Sequence, residues 1–319
     1  MWRPDRSLRG PDRPALRDIE GLNRVFADAF TDRYSRDGLV GVRVPHLSTL
    51  VWQYALEDAG DGAMVWREAD GRIVAFNMVH RSGVEGWMGP LAVRPDRQGE
   101  KLGSTMVRIG IDWLKSQGAR TIGLETMPRT VENIGFYSRM GLVPGPLTVT
   151  LVHDVPRRIS AAPELLSGVG HQAAQRLEEC RRLTEDLAPG VDFTREIALT
   201  RDLGIGDTTL IREGNELLAF ALWHSTPLAA GRAKDEVRIL KLAARTLPAF
   251  ERLLDALHGT AAGERVGRIA IRCQTEYAEA YLRLIGAGYR VHWTDLRMVL
   301  SEFPQSPARH GIVLSNWEI

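Results

Sequence analysis

The order of elements in the first half of this chain returns in the second half, and that repetition limits the folds open to it more than any other feature. Two stretches carry the echo. Arg67-Glu68, a turn, then Ile73-Val74-Ala75-Phe76-Asn77-Met78-Val79-His80 is answered by Arg212-Glu213, a turn, then Leu217-Leu218-Ala219-Phe220-Ala221-Leu222-Trp223-His224. Each reads as a β-hairpin closing on a histidine. Ile122-Gly123-Leu124-Glu125, a helix and Met140-Gly141-Leu142 are answered by Ile269-Ala270-Ile271-Arg272, a helix and Ala287-Gly288-Tyr289, with Met140 standing as far behind Ile122 as Ala287 behind Ile269. Two echoes in one order argue for duplication. A length of 319 residues also exceeds one usual domain. The expected units are residues 1–158 and 159–319, divided where Pro156-Arg157-Arg158-Ile159-Ser160-Ala161-Ala162-Pro163 interrupts the pattern.

Composition excludes several classes. Apolar residues at 44% and charged residues at 25% are the balance of a globular protein with a sizeable core rather than a disordered chain. Lys plus Arg (41) nearly cancels Asp plus Glu (40), so no global field favours nucleic acid or an acidic membrane. No apolar run approaches the roughly 20 residues of a membrane span, and the N-terminus has no secretory core, which predicts a cytoplasmic protein. Cys180 and Cys273 are too few for a disulfide framework and are read as buried thiols. With no HExxH, paired-cysteine or EF-hand spacing, no metal is implied.

Apolar spacing predicts helices over Asp18 to Asp32 and near Leu47 to Leu56, then strands over Ala63 to Glu68, Ile73 to His80 and Trp87 to Val93. A helix over Leu102 to Ser116, a strand over Thr121 to Thr126, a helix from Val131 and a last stretch Leu147 to His153 complete the half. The run Leu91-Ala92-Val93-Arg94-Pro95-Asp96-Arg97-Gln98-Gly99-Glu100-Lys101-Leu102-Gly103-Ser104 is thus strand, loop and first helical turn. Such junctions bind anions, because the leading N–H groups of a helix have no internal partner and carry the positive end of its dipole. Gly99 and Gly103 leave room for a pyrophosphate, and Lys101 and Arg97 can add charge at the rim. An ordinary strand-to-helix turn has the same form, so the loop alone leaves both readings open.

Leu-Ala-Val-x-Pro followed by Gln98-x-x-x-x-Gly103-Ser104 resembles the acetyl-CoA signature of the GNAT superfamily, with Lys101 where the family usually has its first glycine. With negative φ that side chain can point outward. Positive φ would cost ~1 kcal/mol or more. Glu132-Asn133-Ile134-Gly135-Phe136-Tyr137-Ser138-Arg139-Met140-Gly141-Leu142 is similar to the family's N-x-x-x-FY-x-x-x-GF helix, and Asn133 and Tyr137 lie on one helical face. The resemblance implies an α+β fold of two tandem GNAT-like domains, each with a mixed, mostly antiparallel sheet flanked by helices. It further implies an acetyl-CoA site formed by Leu91, Ala92, Val93, Gln98, Gly99, Glu100, Lys101, Leu102, Gly103, Ser104, Asn133 and Tyr137. A backbone N–H near Val93 would polarise the thioester carbonyl, and Tyr137 would protonate the leaving thiolate, its alternative being packing against the sheet.

The second half departs from this pattern. Lys241 to Phe250 runs from strand into helix without a glycine loop, and Ala280 and Leu284 stand where Asn133 and Tyr137 would be. One cosubstrate site per chain follows. The expected activity is transfer of an acetyl group from acetyl-CoA to a primary amine, with a small molecule favoured because a second domain can wall off the acceptor cleft. A tandem module that binds acyl-CoA or a metabolite without catalysis is the competing reading. Glu125, at the end of its strand, is the first candidate for the base, with pairing to an arginine as its structural alternative, and His80, Glu85 and water follow. Trp52, Trp66, Trp87, Trp223 and Trp293 can line a cavity, although such residues are more often core. The tail Gly311 to Ile319 alternates like a strand and should be buried against a sheet or across the domain boundary. A monomer or homodimer is expected.

Overall fold

A computed structural model describes residues 7–155 and 163–318. Most of the expected boundary, Pro156 to Ala162, lies outside the described residues. The first half comprises β1 (Leu8–Asp12), α1 (Ile19–Arg36), α2 (Thr49–Ala59), β2 (Ala63–Glu68), β3 (Ile73–Ser82), β4 (Glu85–Val93), α3 (Leu102–Ser116), β5 (Thr121–Thr126), α4 (Val131–Ser138) and β6 (Leu142–Asp154). Then come β7 (Glu164–Leu165), α5 (Ala173–Leu187), α6 (Thr194–Asp202), β8 (Gly206–Glu213), β9 (Glu216–His224), β10 (Glu236–Ala244), α7 (Leu247–Gly263), β11 (Arg268–Gln274), α8 (Ala278–Gly286), β12 (Arg290–Leu300) and β13 (Ile312–Ser315). From α1 to β6 and from α5 to β12 the order is the same, as the echoed segments require.

The described strands form one sheet in the order β1-β2-β3-β4-β5-β12-β6-β11-β10-β9-β8-β7, with β13 added on β10. Its centre reveals an exchange. β12, from the second half, lies between β5 and β6, and β6, from the first half, lies between β12 and β11. Each half completes its sheet with a strand from the other. The exchanged strands carry apolar residues with them, Met298 and Leu300 joining the core under α3 and Val149 and Leu151 joining the core under α7.

Helix α3 shows how the layers are held. Leu102, Met106, Val107, Gly110, Ile111 and Leu114 recur at helical spacing and are buried. A Cβ on Gly110 would come within 2.8 Å of the Asn77 amide nitrogen and of Met88 sulfur, so glycine lets the helix press onto β3 and β4. On the other sheet face α1 and α2 bury Leu22, Val51, Trp52 and Ala55. Asn23 ties these helices together by accepting from Trp52 Nε1 at 2.7 Å and from Leu47 N–H at 2.8 Å. Both cysteines are buried and unbridged.

Candidate active site

Parallel pairing of β4 with β5 extends only over Glu85 to Met88 against Thr121 to Leu124. Beyond it β4 bulges at Gly89-Pro90, since Val79 faces Met88 while Asn77 already faces Leu91. The two strands part into a wedge. Arg94 N–H donates to the Val74 carbonyl at 2.8 Å, so strand alternation turns the Leu91 and Val93 N–H groups away from β3 and into the wedge. Gln98 Nε2 approaches from the same side and donates to the Val93 carbonyl at 3.1 Å.

The loop below the wedge runs from a 3-10 turn, Pro95–Arg97, to the start of α3. Space at its glycines fits a pyrophosphate: a Cβ on Gly99 would meet nothing within 4 Å, and one on Gly103 would be 3.6 Å from the Phe136 ring. The N–H groups of Leu102, Gly103 and Ser104 open the helix and have no i−4 carbonyl of their own. At the rim, Lys101 takes one of the two conformations left open, and Arg97 departs from its expected place. Lys101 has φ 63 and ψ 3, in the left-handed region, so the strained alternative holds and costs about 1 kcal/mol or more. Arg97 is 1% exposed and bonded to Glu68 at 2.7 Å and Glu100 at 3.0 Å, which makes it a loop brace rather than a rim cation. Ser104 hydroxyl donates to the Lys101 carbonyl at 2.7 Å, closing the same turn.

Above the loop the wedge opens into a cavity of about 520 Å³ between the two halves. Leu91, Asn133 and Tyr137 line it together, so the helical face shared by the last two is turned toward the open edge of β4. Tyr137 is buried, which raises its pKa, and its hydroxyl stays protonated at neutral pH. Phe26, Phe30 and Tyr34 of α1 form one wall, and β12 supplies Trp293, whose ring lies 6.5 Å from that of Tyr34. The other four tryptophans weighed for this role, Trp52, Trp66, Trp87 and Trp223, are core residues. Ser48 N–H to the Leu228 carbonyl (2.9 Å) and Ala230 N–H to the His46 carbonyl (2.8 Å) join the halves beside the cavity.

Glu125 sits at the cavity floor with a closed side chain, paired with Arg272 at 2.6 Å and Arg297 at 2.8 Å and accepting from Thr148 hydroxyl at 2.5 Å. Burial would raise its pKa, but the two guanidinium groups and the Thr148 hydroxyl outweigh it and hold the carboxyl below the usual range. A carboxylate so held is a poor acceptor for an ammonium proton, so the geometry is that of its structural alternative. His80 and Glu85 do not reach the cavity. His80 Nδ1 is 2.5 Å from Asp58 and its ring stacks on Trp87, while Glu85 accepts from Ser315 hydroxyl at 2.5 Å. Arg272, Asp295 and the tail residue Glu318, absent from the sequence-derived candidates, complete the floor, with the buried Arg297 beneath it. Arg272 bonds Asp295 at 3.1 Å and is ion-paired with Glu318.

In the second half the corresponding wedge is filled. β10 pairs with β11 only over Glu236 to Arg238, and from Lys241 to Ala244 it pairs with β13. Gln274 of β11 donates to the Ser315 carbonyl at 3.3 Å from the other side. The chain's own tail therefore occupies the place that is open between β4 and β5.

Residues 24–142 match the sequence model of the Acetyltransferase (GNAT) family. Over that stretch the chain is similar to GNAT acetyltransferase domains. A proposed ribosomal protein bS18 alanine N-acetyltransferase of Bacillus subtilis (strain 168) is 23% identical over 130 residues, 41% of this chain and 78% of that protein. Among solved structures, a proposed acetyltransferase from Pyrococcus horikoshii superposes with a TM-score of 0.66 at 17% identity over 99% of this chain and 96% of its own. A tandem GNAT protein from the clavulanic acid biosynthesis pathway superposes with a TM-score of 0.58 at 12% identity, covering 94% of this chain and all of its own (100%). These likenesses extend the fold, two GNAT-like units around one sheet, over both halves.

Proposed function

We propose that the chain moves an acetyl group from acetyl-CoA to a primary amine by direct attack within a ternary complex, at one site in the first half. The observation that carries this reading is the meeting of three features: the β4–β5 wedge, the Gly99–Ser104 loop beneath it, and a cavity above it that Tyr137 lines. Bound acetyl-CoA supplies an activated thioester. The Leu91 and Val93 N–H groups would polarise its carbonyl, the N-terminus of α3 would hold its pyrophosphate, and Tyr137 would protonate the departing sulfur. Asn133 would hold the chain between these ends. The second half contributes no such site, because β13 fills its wedge, and residues 159–319 serve as the unit that roofs the acceptor cavity. A cleft of about 520 Å³ between the two halves suits a small-molecule amine better than a folded protein.

Titration calorimetry should give one CoA per chain, and Gly103→Trp should abolish it by filling the pyrophosphate space. Two equivalent sites, or unchanged affinity in the variant, would remove the loop from this reading. Acetyl transfer to a panel of primary amines then separates an enzyme from a module that only binds acyl-CoA. An alanine-terminated peptide belongs on that panel because of the Bacillus relative.

A further inference from the structure

The cavity floor holds three carboxylates, Glu125, Asp295 and Glu318, and the Arg272 guanidinium, with that of Arg297 buried beneath Glu125. Within this cluster three carboxylates share two guanidinium groups, so the carboxylate most open to solvent and substrate is the one placed to exchange a proton. Exposure distinguishes them. The side chains of Glu125 and Asp295 are 1% and 5% exposed, whereas that of Glu318 is 50% exposed and lines the cavity. Its backbone position is also set beside the wedge, since the Trp317 carbonyl oxygen lies 3.6 Å from where a Cβ on Gly89, at the β4 bulge, would be.

The tail is held there by bonds on both sides. Asn316 N–H donates to the Leu240 carbonyl at 2.9 Å, Lys241 Nζ donates to the Ser315 hydroxyl at 2.9 Å and the Asn316 carbonyl at 3.0 Å, and Glu318 N–H donates to Asn316 Oδ1 at 3.1 Å. We propose that Glu318 is the catalytic proton acceptor for the amine, a role that rests on the acetyltransferase reading above. The nitrogen lone pair forms the N–C bond to the thioester carbonyl carbon and the C–S bond breaks. The proton leaving nitrogen goes to the Glu318 carboxylate, and sulfur takes its proton from Tyr137. Solvent exchange returns both groups to their starting states.

The charges facing Glu318 are consistent with this. Partial burial, with half of the side chain still open, raises its pKa, Arg272 opposes that, and the Asp295 and Glu125 carboxylates add to it, pushing Glu318 up toward about 8. Asp295 is raised too, by burial and by Glu125, but its side chain is only 5% exposed, whereas Glu318, which shares the Arg272 guanidinium, keeps half of its side chain open. From α1, Tyr34 has its phenol raised by burial and by the Glu318 and Asp295 charges. A carboxylate raised in this way accepts an ammonium proton near neutral pH far better than Glu125, which its arginine partners hold below the usual carboxylate range.

In wild-type protein saturated with acetyl-CoA and an amine from the panel, kcat should rise with pH to a plateau above about 8. E318Q should bind CoA normally, lose about 100-fold in kcat at pH 7, and lose that rise. E318D should keep the rise at reduced kcat. An unaltered profile in E318Q, or loss of the rise in E125Q instead, overturns the assignment. Glutamate carboxyl-13C titration of the CoA complex decides the case if no amine on the panel is turned over. A wild-type resonance with a midpoint near 8 that is missing from E318Q sustains the role, and the lack of any such resonance overturns it. A wild type with no calorimetric signal for CoA fails the acetyltransferase reading itself, which sets that outcome apart.

Discussion

Tyr137 illustrates how burial alone prepares a donor. Its hydroxyl has been pushed far toward the protonated form by loss of solvent, so it keeps its proton throughout the range in which an amine is deprotonated. Tyr137→Phe should therefore leave CoA affinity within a factor of about 3 and lower kcat about 100-fold, with no alkaline limb lost, because Tyr137 does not titrate there. Turnover equal to wild type would make it a packing residue against the sheet. Asn133 and Tyr137 could be read from the sequence because both lie on one eight-residue helix and helical spacing fixes their relation. Glu125 could be seen but not understood. Its partners Arg272 and Arg297 are 147 and 172 positions away, and no local periodicity spans such distances. One signal was nevertheless present: Arg272 is the residue that echoes Glu125 in the repeat, and Asp295 echoes Thr148 at the same offset. The bonds Glu125–Thr148 and Arg272–Asp295 thus link equivalent positions of the two halves with donor and acceptor reversed, and Glu125–Arg272 joins them.

Among elements, β13 departs most from simple expectation. Alternating apolar residues foretold a buried strand, and both alternatives for its burial hold at once. Ile312 and Leu314 pack into the second-half core, while Trp317 reaches into the first half, 1% exposed, with the Arg297 guanidinium 3.8 Å from its ring centroid. Gly123 makes the room, since a Cβ there would come within 2.6 Å of that ring. Trp317→Ala should cost about 3–5 kcal/mol in urea unfolding and lower kcat by letting Glu318 drift. A loss below 1 kcal/mol would mean that the tail is not anchored by this side chain. Strands and helices of the first half were largely legible, α3 and β5 to the residue, because each follows a single clean period. β1 and the two-residue β7 were not, being too short to show one.

The exchange of β6 and β12 makes the two halves one object. Residues 1–158 on their own would leave β5 with a bare edge and β6 without either neighbour, exposing backbone donors and apolar side chains that β11 and β12 normally cover. We expect that fragment to be aggregated or to lack near-ultraviolet circular dichroism, and co-expression with residues 159–319 to restore it. A soluble, well-packed fragment 1–158 would show that the exchange is dispensable. Duplication was readable from the echoes, but which strand joins which half was not, because β6 and β12 have equivalent neighbours on either side and only their packing decides. The crossing also imposes a timetable on synthesis. Translation proceeds at about 5–20 residues per second, so a wait of about 10–40 s separates the emergence of Glu125 from that of Glu318. Through that interval the open edge of β5 needs shielding, and no prematurely ended polypeptide carries a finished site.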